Sequence, residues 1–132
     1  MAINMSVALR TARANQIEVA VGANAILHIF TGAVPATCAA GNSSSNICAM
    51  PLGANWLADA ANGAVTKNGT WQGNATANGT AGNWRIFASD ATTCHMQGNC
   101  ANANGDMTLD NVSIAINQTV TVNAFTLTEG NT

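Results

Sequence analysis

The sequence predicts a mainly β domain, an antiparallel β-sandwich or jelly-roll-like fold with one N-terminal α-helix. Three observations carry this. Helical spacing of apolar residues is confined to the first 22 positions. Beyond them, short runs of branched and aromatic residues alternate with turns. The pair Asn-Gly occurs four times, starting at Asn62, Asn68, Asn78 and Asn104. Both residues of that pair accept positive φ at small cost, which suits the mirror-image turns of β-hairpins. Short strands joined by frequent tight turns build sandwiches and barrels rather than βα units. A chain of 132 residues has room for one core, so residues 1–132 are read as a single β-rich domain with residues 1–22 as an N-terminal helical arm.

The helix is expected over Ser6 to Val21. Leu9, Ala12, Ile17, Ala20 and Val21 form its apolar stripe, Ser6 caps its start, and Gly22 ends it in the left-handed conformation. Arg10 and Arg13 lie off that stripe, on a face read either as solvated or as a contact for an acidic partner. Ile26 to Thr31 reads as a buried strand closed by Gly32 and Pro35. Asn83 to Ser89 alternates, with Trp84, Ile86 and Ala88 on one face and Arg85 and Phe87 on the other. Val112 to Ile116 is a further strand. In Thr119 to Thr128 the apolar parity changes between Val122 and Phe125, so one extra residue, a β-bulge at Asn123 or Ala124, is required. Weaker strands are read at Cys48–Trp56, Gly63–Lys67 and Met107–Leu109. The stretch Thr66 to Asn83 is read as loops and an edge strand anchored by Trp71. This gives six to eight strands in all.

Charge is scarce: four Lys or Arg and six Asp or Glu, beside 18 Asn and 12 Gly. Ordinary domains are about 25% charged, and this chain is 8%. Amides, hydroxyls and methyls cost less to desolvate than charges, so such a surface suits burial against other protein. Arg10, Arg13, Lys67 and Arg85 are scattered, which does not make a nucleic-acid footprint. No apolar run approaches the roughly 20 residues of a membrane span, and the first residues do not read as a secretory signal. Synthesis in the cytoplasm is therefore expected.

The four cysteines, Cys38, Cys48, Cys94 and Cys100, are disulfide candidates. Three pairings are possible, and the local ones, Cys38 with Cys48 and Cys94 with Cys100, close the shortest loops. Each would stabilise the fold by about 2–3 kcal/mol. The other reading is of free, buried small side chains. Reducing cytosol and disulfides are reconciled if the protein is assembled in a cell and released into oxidising surroundings.

Catalysis would need His95 as base, Asp90 to orient it, and a neighbouring thiol or hydroxyl, but no local nucleophile signature accompanies them. The spacing of Cys94, His95 and Cys100 lacks zinc-knuckle pairs. Asn102, Asn104, Asp106 and Asp110 read as a hydrogen-bonded turn in preference to a calcium loop. No enzyme activity, metal or cofactor is expected.

Three stretches, MSVALRTARANQI, LHIFTGAVPAT and VTVNAFTLTEGN, with NWRIFASD between them, resemble small virion proteins of tailed bacteriophages and prophages. The resemblance implies a structural protein of the particle, most like a capsid decoration or cement protein. Its partners would then be the major capsid protein and copies of itself, with no nucleic acid or membrane, and its place the capsid surface of the virion. Contact residues are expected in the arm Met1 to Arg13 (Met5, Val7, Arg10 and Arg13), at Trp71, and in the tail 128–132 (Thr128 and Glu129). The alternative is a tail, neck or fibre protein, or a small carbohydrate-binding attachment module with exposed Trp56 and Trp71 stacking on a sugar.

Overall fold

The computed structural model describes residues 3–42 and 44–129. The first two residues of the arm and the last three of the tail lie outside them. Among the described residues one helix, α1 (Val7–Val21), precedes nine strands: β1 (Ile26–Thr31), β2 (Asn46–Pro51), β3 (Ala64–Thr66), β4 (Trp71–Asn74), β5 (Gly79–Phe87), β6 (Cys94–Ala101), β7 (Met107–Leu109), β8 (Ser113–Ile114) and β9 (Thr119–Thr128). The mainly β class holds, with one strand more than the upper expectation. β6, rich in Cys, His, Gln, Gly and Asn, had no strand signal in the sequence. Val112–Ile116 shrinks to the two residues of β8.

The sheet runs β2-β1-β5-β6-β7-β9-β3, with β4 also on β9 and β8 on β5. All neighbours are antiparallel except β6 and β7, which are parallel through Cys100–Met107 and Ala101–Thr108. The sheet curls until its two ends meet. Cys48 of β2 bridges Ala75 just past β4, and the Thr76 N–H donates to the Ile47 carbonyl at 2.9 Å. The two layers expected of a sandwich are thus opposite walls of one curled sheet, and closure protects its outer edges.

The bulge in β9 falls where the parity change required it. Met107 pairs with Phe125 and Thr108 with Ala124, but Leu109 pairs with Val122, leaving Asn123 as the extra residue. Val120, Val122 and Phe125 consequently all point inward and are buried. Phe125 then joins an aromatic chain through the core: Trp56 to Trp71 at 6.0 Å, Trp71 to Phe125 at 5.2 Å, and Phe125 to Trp84 at 5.3 Å between ring centroids. Each indole N–H finds a carbonyl. Trp56 donates to Gly22, Trp71 to Trp56 and Trp84 to Asn99. Buried tryptophan needs that satisfaction, since an orphaned N–H costs about 1–3 kcal/mol.

α1 starts where expected, its Leu9 N–H bonding the Ser6 hydroxyl at 3.1 Å. Gly22 ends it at φ 99° and ψ 166°, positive in φ but outside the left-handed helical basin. The expected stripe divides: Ile17 and Val21 pack inward with Ala14, while Leu9, Ala12 and Ala20 face solvent. Polar docking sets that rotation. Thr11, Asn15 and Glu18, one below another on the helix, accept from the backbone N–H groups of Gly63, Ala60 and Leu57. Arg10 is accordingly on the packed side, half-buried, instead of on a solvated face.

Only one of the four Asn-Gly pairs adopts positive φ at both residues. Asn62 at 54° and Gly63 at 76° turn the chain between Ala61 and Ala64, which bridge each other. Among the others, Asn104 is positive without Gly105, Gly69 without Asn68, and Asn78-Gly79 has neither.

The chain leaving β1 crosses β5 so closely at Gly82 that a Cβ there would sit 2.2 Å from the Gly32 carbonyl oxygen. Neither backbone can withdraw, because the Asn83 amide next door donates to the same carbonyl. Gly82→Ala is expected to destabilise the protein by about 3 kcal/mol. Urea unfolding of the variant beside the parent checks this.

Candidate functional site

Two regions of the surface combine shape with chemistry. The first is the outer face of β1, β5 and β6. Register places His28 beside Arg85, and Arg85 beside Gln97, on the face opposite Trp84 and Ile86. An outer sheet face of an antiparallel fold normally meets water, yet Arg85 is only 2% exposed. Residues 32–42 fold over it as a cover. The Arg85 guanidinium donates to the carbonyls of Thr37 and Ala40 at 2.9 Å, to Asn42 Oδ1 at 2.8 Å, and twice to Gln97 Oε1, at 3.0 and 3.1 Å. Gln97 in turn donates to the Pro35 carbonyl. Asn83 Nδ2 holds the start of the cover through the carbonyls of Thr31, Gly32 and Ala33. Beneath it Phe30 and Phe87 are buried apart from the main core, with the His28 ring against both. Burial lowers the His28 pKa below its ordinary value, as a structural histidine in an apolar setting requires.

Beside the cover lies a hollow of about 330 Å³ lined by Cys38, Asn42, Arg85, Phe87, Thr92 and Cys94. The local cysteine pairings are corrected here. Cys94 and Cys100 stand at opposite ends of β6, roughly 20 Å apart at the rise of an extended strand, whereas bridged Cα atoms lie within about 7 Å. Cys48 is in the core on β2, its sulfur toward Gly73 of β4, away from Cys38 on the cover. All four are free thiols. Burial pushes the Cys48 thiol up to about 11 and the Cys100 thiol to about 12, so these two match the alternative reading of small apolar residues. Cys38 instead lines the hollow together with Cys94.

The residues of the catalytic and calcium readings serve the backbone. Asp90 closes a turn by accepting from the N–H groups of Thr92 and Thr93 and from the Thr93 hydroxyl. The Cys94 thiol is pushed up to about 11, first by burial and then by Cys38, the reverse of what a thiolate nucleophile needs. Asp106 and Asn99 exchange side-chain-to-backbone bonds, and Asp110 accepts from the Thr121 N–H. Among the described residues no cluster of His, Cys, Asp and Glu could hold a metal.

The second region is a groove where the sheet parts. Past Asn99 toward its start, β6 is paired on its β5 side alone. Past Phe125, β9 is paired on its β3 side alone. Between these two edges opens a groove of about 560 Å³, floored by Trp84 and Phe125 and walled by Met96, Gln97, Thr126 and Leu127. Its end at Met96 and Leu127 runs into a mainly apolar hollow of about 290 Å³ that reaches Ile17, Ala20 and Val21 of α1.

The expected contact residues divide. Met5, Arg10, Arg13 and Glu129 come together at one corner. Arg13 pairs with Glu129 at 3.1 Å, bonds the Met5 sulfur at 3.1 Å, and Arg10 reaches the Glu129 carbonyl at 3.5 Å. The acidic partner of Arg13 is therefore within the chain. Val7 and Thr128 are exposed. Trp71 is 1% exposed, a core side chain and not a contact residue. The groove was missed from sequence, because its walls come from strands whose separation depends on where β7 stops.

Arg85→Lys keeps the charge but loses the planar fork that reaches several acceptors at once. It is expected to cost about 2–4 kcal/mol and to open residues 32–42 to limited proteolysis before global unfolding. Asp90 is held at about 2, foremost by the Thr93 N–H, then by the Thr92 N–H and the Thr93 hydroxyl. A depressed carboxylate contributes stability above its unfolded value near 3.8, lost as pH falls through the folded one. NMR titration is expected to show the Thr92 and Thr93 amides keeping their shifts to about pH 3 and changing with a midpoint near 2; Asp90→Asn removes that titration.

No family model, curated protein or solved structure matches this chain.

Proposed function

We propose that this chain is a structural component of a bacteriophage particle, a capsid decoration protein on the outside of the major capsid protein lattice. The observation that carries the reading is the outward stripe of α1. Leu9 and Val19 are 49% and 70% exposed, and Ala12, Gln16 and Ala20 share their face at helical spacing. That stripe carries no charged residue and rises beside the apolar end of the groove. Exposed apolar patches of this kind mark contacts with other protein. Polar docking of the opposite face fixes the stripe outward, so a neighbour meets it preformed.

The mechanism is mechanical. A rigid closed sheet presents the stripe to one neighbour and the groove edges of β6 and β9 to another, where an extended segment can add backbone hydrogen bonds. Repetition over a shell turns modest interfaces into strong cross-linking. The carbohydrate-binding alternative loses its stacking platform, since Trp56, Trp71 and Trp84 are 0%, 1% and 3% exposed.

Cryo-electron microscopy of particles from a culture producing the protein is expected to show regular density for it over the capsid subunits, with α1 at a subunit boundary. Density confined to the tail would move the protein to the tail, neck or fibre class, and absence from particles would end the virion reading. Leu9→Glu with Val19→Glu is expected to leave stability within about 0.5 kcal/mol per substitution while lowering particle occupancy at least about tenfold.

A further inference from the structure

We propose that Cys38 and Cys94 form a redox-closed clasp that fastens the cover, residues 32–42, to the start of β6. The pair joins segments far apart in sequence, and three features of the structure single it out. The two side chains are near neighbours on one hollow, and after burial it is Cys38 that pushes the Cys94 thiol up. Both are partly exposed at the 330 Å³ hollow, whereas Cys48 and Cys100 are buried in the core. The backbone of both is fixed: Arg85 donates to the carbonyls on either side of residue 38, at Thr37 and Ala40, and Cys94 is paired in register with Phe87 of β5.

The chemistry needs a two-electron oxidant, and a low-molecular-weight disulfide of the glutathione class supplies it. One thiolate of the pair attacks a sulfur of that disulfide, breaking its S–S bond and releasing one thiolate as leaving group. The second cysteine, deprotonated, attacks the mixed disulfide, forms the Cys38–Cys94 bond and releases the other thiolate. Two protein thiols are oxidised, one small disulfide is reduced to two thiols, and the two protons pass to them. Met96 supplies a carbonyl that accepts from the Cys94 thiol at 3.5 Å, which holds its sulfur at the hollow before reaction. The closed clasp spans a long loop, so it removes much of the unfolded chain's freedom. A particle protein made among reduced thiols would then stiffen after release.

The test equilibrates the full chain with oxidised glutathione, alkylates what remains free, and maps the peptides by mass spectrometry. The expected result is one intramolecular link between Cys38 and Cys94, with Cys48 and Cys100 unlinked. The melting temperature should rise by roughly 10 °C and return to the starting value on reduction. Cys38→Ser, on the exposed cover, should fold as the parent does and show neither the link nor the rise. Free thiols at both positions after equilibration, a link through Cys48 or Cys100, or a link between two chains would overturn the proposal. This outcome is independent of where the protein sits in a particle.

Discussion

A guanidinium buried on the wrong face of a sheet organises much of this molecule. Arg85 is almost fully enclosed, and among the described residues its hydrogen-bond partners are carbonyls and amides, with no carboxylate. Enclosing a cation is expensive unless each N–H is matched, and here the matching groups come from residues 37, 40, 42 and 97. The cover can close only in the arrangement that supplies them. Asn83, two positions earlier on the same strand face, gathers three successive carbonyls of the same segment. Together they convert a stretch of mostly small side chains into a fixed lid over Phe30 and Phe87.

That lid explains why the strand next to it, β6, carries no strand signal in the sequence. β6 needs no continuous apolar run, because its outer side chains meet polar groups of the cover and its neighbour at Gly98 is the Trp84 indole. β1 and β9, by contrast, face the core with their own apolar residues, and their limits match the sequence reading. The bulge at Asn123 was legible for the same reason: parity along one strand is a local property. The rotation of α1 was not, since it depends on which N–H groups of residues 57–63 reach its flank.

Cysteine pairing shows the same divide. Short loops favour local closure in an unfolded chain, but an extended strand separates Cys94 from Cys100 and the core takes Cys48. That Cys38 and Cys94 share a hollow arises from the cover, and therefore from Arg85. The tryptophans follow similarly. Three indoles in a nearly uncharged chain look like a binding surface until one sees that each N–H has a backbone carbonyl inside.

The abundance of Asn also acquires a structural cause. Asn46, Asn78 and Asn111 accept from the N–H groups of Cys48, Ile116 and Ser113, Asn15 from Ala60, and Asn99 from Asp106. A short amide is a movable piece of peptide backbone, able to satisfy a turn that no ladder reaches. A sheet of short strands with many exposed turns creates that demand in quantity. Much of the composition that pointed outward, to assembly, is thus employed within the fold. What remains for the proposed partner is narrower and more specific: the uncharged stripe of α1, fixed outward by the polar docking behind it, and the parted edges of β6 and β9.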